Sequence, residues 1–186
     1  MQIFVFLIDT VFFVLVASAL LRAWLNSARI SLSQQPGLFV MAVTNWIVMP
    51  LRRMLPPAMQ RSRWDVASLL AAILLSMAHG GMLLAAGGLF AAAPHAAAMS
   101  AAMWAMLPLM ALKLLLKTAV QGLMWLVIAY AVLSWVQPQA PVQSLLARLL
   151  APVLSPIRRH LPRIGGVDLS ALVLVVVLQV VLMLLL

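Results

Sequence analysis

Two short stretches hold most of the residues able to do polar chemistry: Pro50-Leu51-Arg52-Arg53-Met54-Leu55-Pro56 and Pro156-Ile157-Arg158-Arg159-His160-Leu161-Pro162. Each is followed by an aspartate that opens an apolar run. Asp65 precedes Val66-Ala67-Ser68, and Asp168 stands in Arg163-Ile164-Gly165-Gly166-Val167-Asp168-Leu169-Ser170. Paired guanidiniums between prolines have two uses. They bind phosphate oxygens, or they pair with the carboxylate that follows. Arg52, Arg53, Arg158, Arg159 and Arg163 are therefore candidates for contact with lipid phosphate or a partner. Pro50, Pro56, Pro156, Pro162, Gly165 and Gly166 are candidates for shaping the turns, and Asp65 and Asp168 for capping the helices after them. The plainer alternative is a pair of topology signals that any basic residues would supply.

The remaining polar groups are few. Asp9 lies inside an apolar run, roughly 9 Å along a helix. With Lys113 and Lys117 it is a candidate polar pathway for an ion or proton; the ordinary alternative is a carboxylate near a helix end that reaches water or stays protonated. His79, beside Gly80-Gly81, is either a metal or haem ligand or a hydrogen-bond partner of a neighbouring helix. Met99, Met103, Met106 and Met110 recur at helical spacing, with Met77, Met82 and His95 elsewhere. They offer thioethers for Cu(I), or adaptable packing. No second clear ligand accompanies His79, so no metal or cofactor is expected. There is no nucleotide loop, nucleophile with a base, carboxylate pair or HExxH motif, and no enzyme is expected. The absence of cysteine rules out disulfides and thiol chemistry.

The elements that must position these residues are hydrophobic helices. Of 186 residues 66% are hydrophobic and 8% charged, against about 25% charged in soluble domains. Such a chain cannot cover a water-facing surface and belongs in a bilayer. The net charge of +9, from twelve Lys and Arg against three Asp, flanks the apolar runs. It therefore points to membrane orientation and anionic headgroups, and nucleic acid is not expected. Residues 3–25, 65–86, 107–136 and 168–186 are expected to span. The first is read as a retained helix and not a cleaved signal, closed by Trp24 and a snorkelling Arg22. Residues 38–55 and 142–155 are expected to be interfacial helices, the first ended by Pro50, Pro56 and Pro57. Residues 87–106 read as a connection or short partial helix.

The two proline–arginine motifs align at a constant offset of 106 residues, so the chain reads as an internal repeat. Residues 1–90 form the first unit and 107–186 the second, with 91–106 as an uncharged linker. Two spans per unit make the repeats parallel, related by an axis along the membrane normal. The loops after the first and third spans carry five and four arginines, and the loop between the second and third has no charge. Positive-inside counting places both basic loops in the cytoplasm and both termini outside, weakly opposed by Lys113 and Lys117.

The doubled Pro-x-Arg-Arg-x-x-Pro turn, Gly165-Gly166-x-Asp168-x-Ser170, and Leu114-Leu115-Leu116-Lys117-Thr118 together resemble the YggT family, called YlmG in photosynthetic lineages. The first copy departs from it, with Arg61-Ser62-Arg63-Trp64 where the second has the glycine pair. The resemblance implies a small multi-spanning protein of the bacterial inner membrane, of undefined activity. It further implies links to osmotic and salt tolerance and, in plastid relatives, to cytochrome assembly and nucleoid distribution. The expected protein is thus all-α, with four transmembrane helices in two tandem parallel repeats, each with a cytoplasmic-side interfacial helix. Its expected role is a scaffold or accessory factor in osmotic stress and envelope homeostasis, in contact with anionic lipid and with itself or another membrane protein. The alternative is a small oligomeric ion channel or transporter.

Overall fold

Long apolar helices alternate with shorter two-faced ones. The computed structural model describes residues 2–30, 35–56, 59, 64–90, 104–159 and 168–185. Among these the chain is all-helical, with no strand: α1 Gln2–Ser27, α2 Gly37–Met54, α3 Val66–Phe90, α4 Leu107–Val136, α5 Pro141–Arg158 and α6 Leu169–Leu185.

Three helices, α1, α3 over Val66–Ala86, and α4, are long and apolar enough to cross a membrane. α6 is apolar but shorter, at 17 residues, about 25 Å at 1.5 Å per residue. Their outer faces stay apolar: Phe6, Val14, Ile73, Trp125, Leu172, Val176 and Val180 are all exposed. Helices apolar on every side are at rest only in lipid or a large core, so the fold is that of a membrane protein.

α2 and α5 are different. α2 buries Gly37, Val40, Thr44 and Val48, a single stripe at three- and four-residue spacing. α5 buries Leu146, Leu149, Leu150 and Leu154. Each lays this stripe on its neighbours, and two apolar cores result. Val16, Ala19, Val48, Ala67, Ala71, Ala72 and Leu75 join α1, α2 and α3. Val127, Tyr130, Leu146, Leu150, Leu154, Ala171, Leu174 and Leu178 join α4, α5 and α6. In the first core the α1–α3 contact is made largely by alanine, with buried Ser18, Ser68 and Ser76 beside it, the small residues that let membrane helices approach.

The two trios meet through α4, which packs on both α1 and α3. Gly80 belongs to that contact: a Cβ there would lie 3.2 Å from Leu107 Cδ1, whereas one on Gly81 would meet nothing within 4 Å. Gly122 faces the Ala17 methyl across the α1–α4 contact.

Several expectations are corrected. Pro50 does not end α2 but lies inside it, and Pro156, with Pro152, lies inside α5. α2 ends at Met54, where Leu55 is extended, as the residue before Pro56 must be. Arg22 does not snorkel: it is 4% exposed, drawn inward by α2. Trp24 packs against the second core, while Trp135 is exposed. α3 continues to Phe90, past the expected end at 86.

Candidate functional site

Each proline–arginine turn brings its first arginine back onto the aspartate that follows. In the first, Arg52 Nη2 donates to Asp65 Oδ2 at 2.8 Å. Asn26 Nδ2, at the end of α1, and the Ser68 hydroxyl donate to the same oxygen, both at 2.8 Å. The Ser68 backbone N–H donates to Oδ1 at 3.3 Å, an N-cap bond. In the second, Arg158 donates to Asp168 Oδ2 from Nε at 3.0 Å and Nη2 at 2.5 Å. The Ser170 backbone N–H donates to Oδ1 at 3.2 Å and its hydroxyl to the same oxygen. Tyr130 of α4 closes this cluster, accepting from Arg158 at 2.7 Å and reaching Asp168 at 3.4 Å.

The two clasps share one plan. A long helix supplies a polar residue (Asn26 or Tyr130), the two-faced helix its first arginine, and the next helix a capping aspartate and serine. Burial alone would raise the Asp65 carboxyl. The Ser68 hydroxyl, the Arg52 charge and hydrogen bond, and Asn26 outweigh it and hold the group below the usual carboxylate range. At Asp168 burial again works upward, and Ser170 and Arg158 overcome it. Burial would lower Arg158, but Asp168 and Tyr130 raise it. Asp65 is far more enclosed than its partner, with side chains 4% and 46% exposed. The second arginine of each pair, Arg53 or Arg159, is exposed.

Arg22 extends the first clasp. Its Nη1 donates to Thr44 Oγ1 at 2.8 Å and Asn45 Oδ1 at 2.9 Å. With Arg52, Arg53, Val48 and Met49 it lines a cavity of about 290 Å³.

A second polar site lies between the trios. His79 Nε2 of α3 and Asp9 Oδ1 of α1 are 2.8 Å apart, and the imidazole stacks on Phe12 with centroids 4.8 Å apart. Asp9, Thr10, His79, Lys117, Thr118 and Gln121 contribute to the lining of a cavity of about 480 Å³. His79 lies about 21 Å along α3 from Asp65, well inside the candidate span Val66–Ala86. Asp9 and Lys117 thus share a cavity, but Lys113 does not join them. It lines another, with Leu84, Met106, Leu109 and Leu185.

No local pattern joins Asp9 to His79, since the two lie on different helices. Asn26, Thr44 and Tyr130 likewise find their partners on other elements, so nothing local marks them. Arg163, Pro162, Gly165 and Gly166 lie outside the described residues, as do Arg61, Arg63, Pro57, His95, Met99 and Met103. Of the methionine stripe, Met106 is exposed and Met110 half-buried. Among the described residues no group of three or more His, Asp or Glu could hold a metal ion.

Fold and site together define an all-helical membrane protein, with each two-faced helix tied by an arginine to the start of the next apolar helix. The chain belongs to the CCB3/YggT family, whose model matches residues 1–86 and 109–186. It is 34% identical to the "Uncharacterized protein YggT" of Escherichia coli K12 over 182 residues, 97% of this chain and 88% of that one. It is also 33% identical over 175 residues to the "Uncharacterized protein in proC 3'region" of Vibrio alginolyticus, covering 94% of this chain and 88% of the relative. No solved structure matches the chain significantly.

Proposed function

We propose that this protein is a scaffold or accessory factor of the bacterial inner membrane, acting in osmotic or salt tolerance and envelope homeostasis. The observation that carries the reading is the repeated clasp. Arg52 and Arg158 are occupied by Asp65 and Asp168, so the turns are built to hold shape. Arg53 and Arg159 remain at the surface for anionic headgroups or a partner subunit.

The topology that goes with it has four spans in two tandem parallel repeats, with both basic loops cytoplasmic and both termini periplasmic. The two separate cores and the shared clasp plan favour the repeat. α6 falls at the short end of the 17–25 residues that span. Cysteine labelling suits a chain without native cysteine. Ala28→Cys and Gln139→Cys should react only after the cytoplasmic side is opened, Ala105→Cys and Leu185→Cys from outside. Leu185→Cys labelling with the cytoplasmic set would mean that α6 does not cross.

The second reading, an oligomeric channel or transporter, is favoured by the Asp9–His79 pair and Lys117 around a cavity between the repeats, the place where transporters bind substrate. Complementation separates the two in an Escherichia coli strain lacking its YggT and challenged with salt. On the scaffold reading Asp9→Asn complements and Asp65→Asn with Asp168→Asn does not. Loss of complementation by Asp9→Asn at normal protein level would replace the scaffold with the transport reading.

A further inference from the structure

Among the described residues Arg22 has no counter-ion of its own. It sits 4% exposed between α1 and α2, and the two groups that accept from it, Thr44 and Asn45, are neutral. Its Nε is buried without a hydrogen-bond partner among the described residues. Arg52 is near enough to repel it, and Asp65, near enough to attract it, is already shared by Arg52, Asn26 and Ser68. A buried guanidinium that lacks compensation is costly. Yet the cavity that Arg22 lines is also lined by Arg52 and Arg53. Three guanidiniums against one carboxylate leave two positive charges in excess around it.

We propose that this cavity is a binding site for a phosphate-class oxyanion, coordinated by Arg22, Arg52 and Arg53. The planar donor fork of arginine matches phosphate oxygens, and several forks around one small volume suit a group with three or four acceptor oxygens. About 290 Å³ holds a phosphate together with part of what it is esterified to. Among the described residues the second clasp has no counterpart of buried Arg22: neutral Tyr130 completes it, and Arg158 is paired with Asp168. Among the described residues, the third, buried arginine is therefore a feature of the first clasp, although the arginine motif occurs twice. The ligand is either the headgroup of an anionic phospholipid or free inorganic phosphate; the chemistry is shared. The site stands on its own geometry and does not depend on the scaffold role.

The test is thermal unfolding of the full-length protein in neutral detergent. One arm adds inorganic phosphate against chloride at matched ionic strength. The other adds phosphatidylglycerol against phosphatidylcholine. Saturable stabilisation in the phosphate arm identifies a free anion; stabilisation only by phosphatidylglycerol identifies a headgroup. Arg53→Ala, at an exposed position, should shift the stabilising midpoint about tenfold, the loss expected for one charge-assisted hydrogen bond. Arg22→Lys keeps the charge but loses the fork and should shift it similarly. Arg148→Ala, an equal loss of charge on the exposed face of α5, should leave it within about twofold. No stabilisation in either arm, an unmoved midpoint in Arg53→Ala, or an equal shift in Arg148→Ala would each overturn the proposal.

Discussion

Replacing Asp65 by Asn separates the charge of the first clasp from its helix cap. Asparagine caps as well as aspartate, so the Ser68 N–H keeps an acceptor. What is lost is the anion facing Arg52, Asn26 and the Ser68 hydroxyl. Hydrogen bonds to charged groups contribute about 1.5–3 kcal/mol each. Arg52 is half-exposed and recovers hydration once released, so the whole variant should cost about 2–3 kcal/mol. The coupling between Arg52 and Asp65 should be about 1–2 kcal/mol. That exceeds an exposed pair because one partner is enclosed, and falls short of a fully buried one. A double-mutant cycle of Arg52→Gln and Asp65→Asn, read by reversible unfolding in detergent, measures it. Arg53→Gln, one residue away, should change stability by less than about 0.5 kcal/mol. A coupling under about 0.3 kcal/mol, or equal losses from Arg52→Gln and Arg53→Gln, would show that the turn needs only positive charge and would refute the clasp.

Tyr130→Phe removes the hydroxyl that accepts from Arg158 at 2.7 Å and should cost about 1–2 kcal/mol in the same unfolding assay. Gly80→Leu pushes bulk into the α3–α4 contact and should cost about 1–3 kcal/mol, whereas Gly81→Ala, facing open space, should be neutral or slightly stabilising. Asp65 and Asp168 are both held below the usual carboxylate range, so their contribution is complete above about pH 4. It is lost as the pH falls through the lowered values. Unfolding temperature should drop below pH 4, and the Asp65→Asn, Asp168→Asn double variant should lose most of that slope.

Helix positions were legible because apolar runs of this length have little choice but to be helical in a bilayer. The two-faced helices were legible in outline, since residues 38–55 are apolar but short for a span and lie between basic ends; the stripe of Val40, Thr44 and Val48 is seen in the structure. Asp65 and Asp168 stood out as caps because each precedes an uncharged run with a serine two or three residues on. What the sequence concealed was pairing between helices. An arginine near the end of a span reads as a snorkelling anchor, and only the approach of α2 shows that Arg22 points inward to Thr44. Asp9 and His79 lie on separate helices, so no local pattern joins them. Pro50 and Pro156 read as breaks because proline removes a backbone donor, yet both are carried within the helices, near their ends.

On the proposed scaffold reading, this chain supports other membrane components and does not itself carry a solute. The measurement that tests it most directly is mild purification from native membranes, with intact mass and subunit identity determined on one preparation. The scaffold reading requires a foreign subunit in fixed stoichiometry, whose identity would name the process. A closed homo-oligomer with no other subunit, conducting ions in proteoliposomes and silenced by Asp9→Asn, would contradict it.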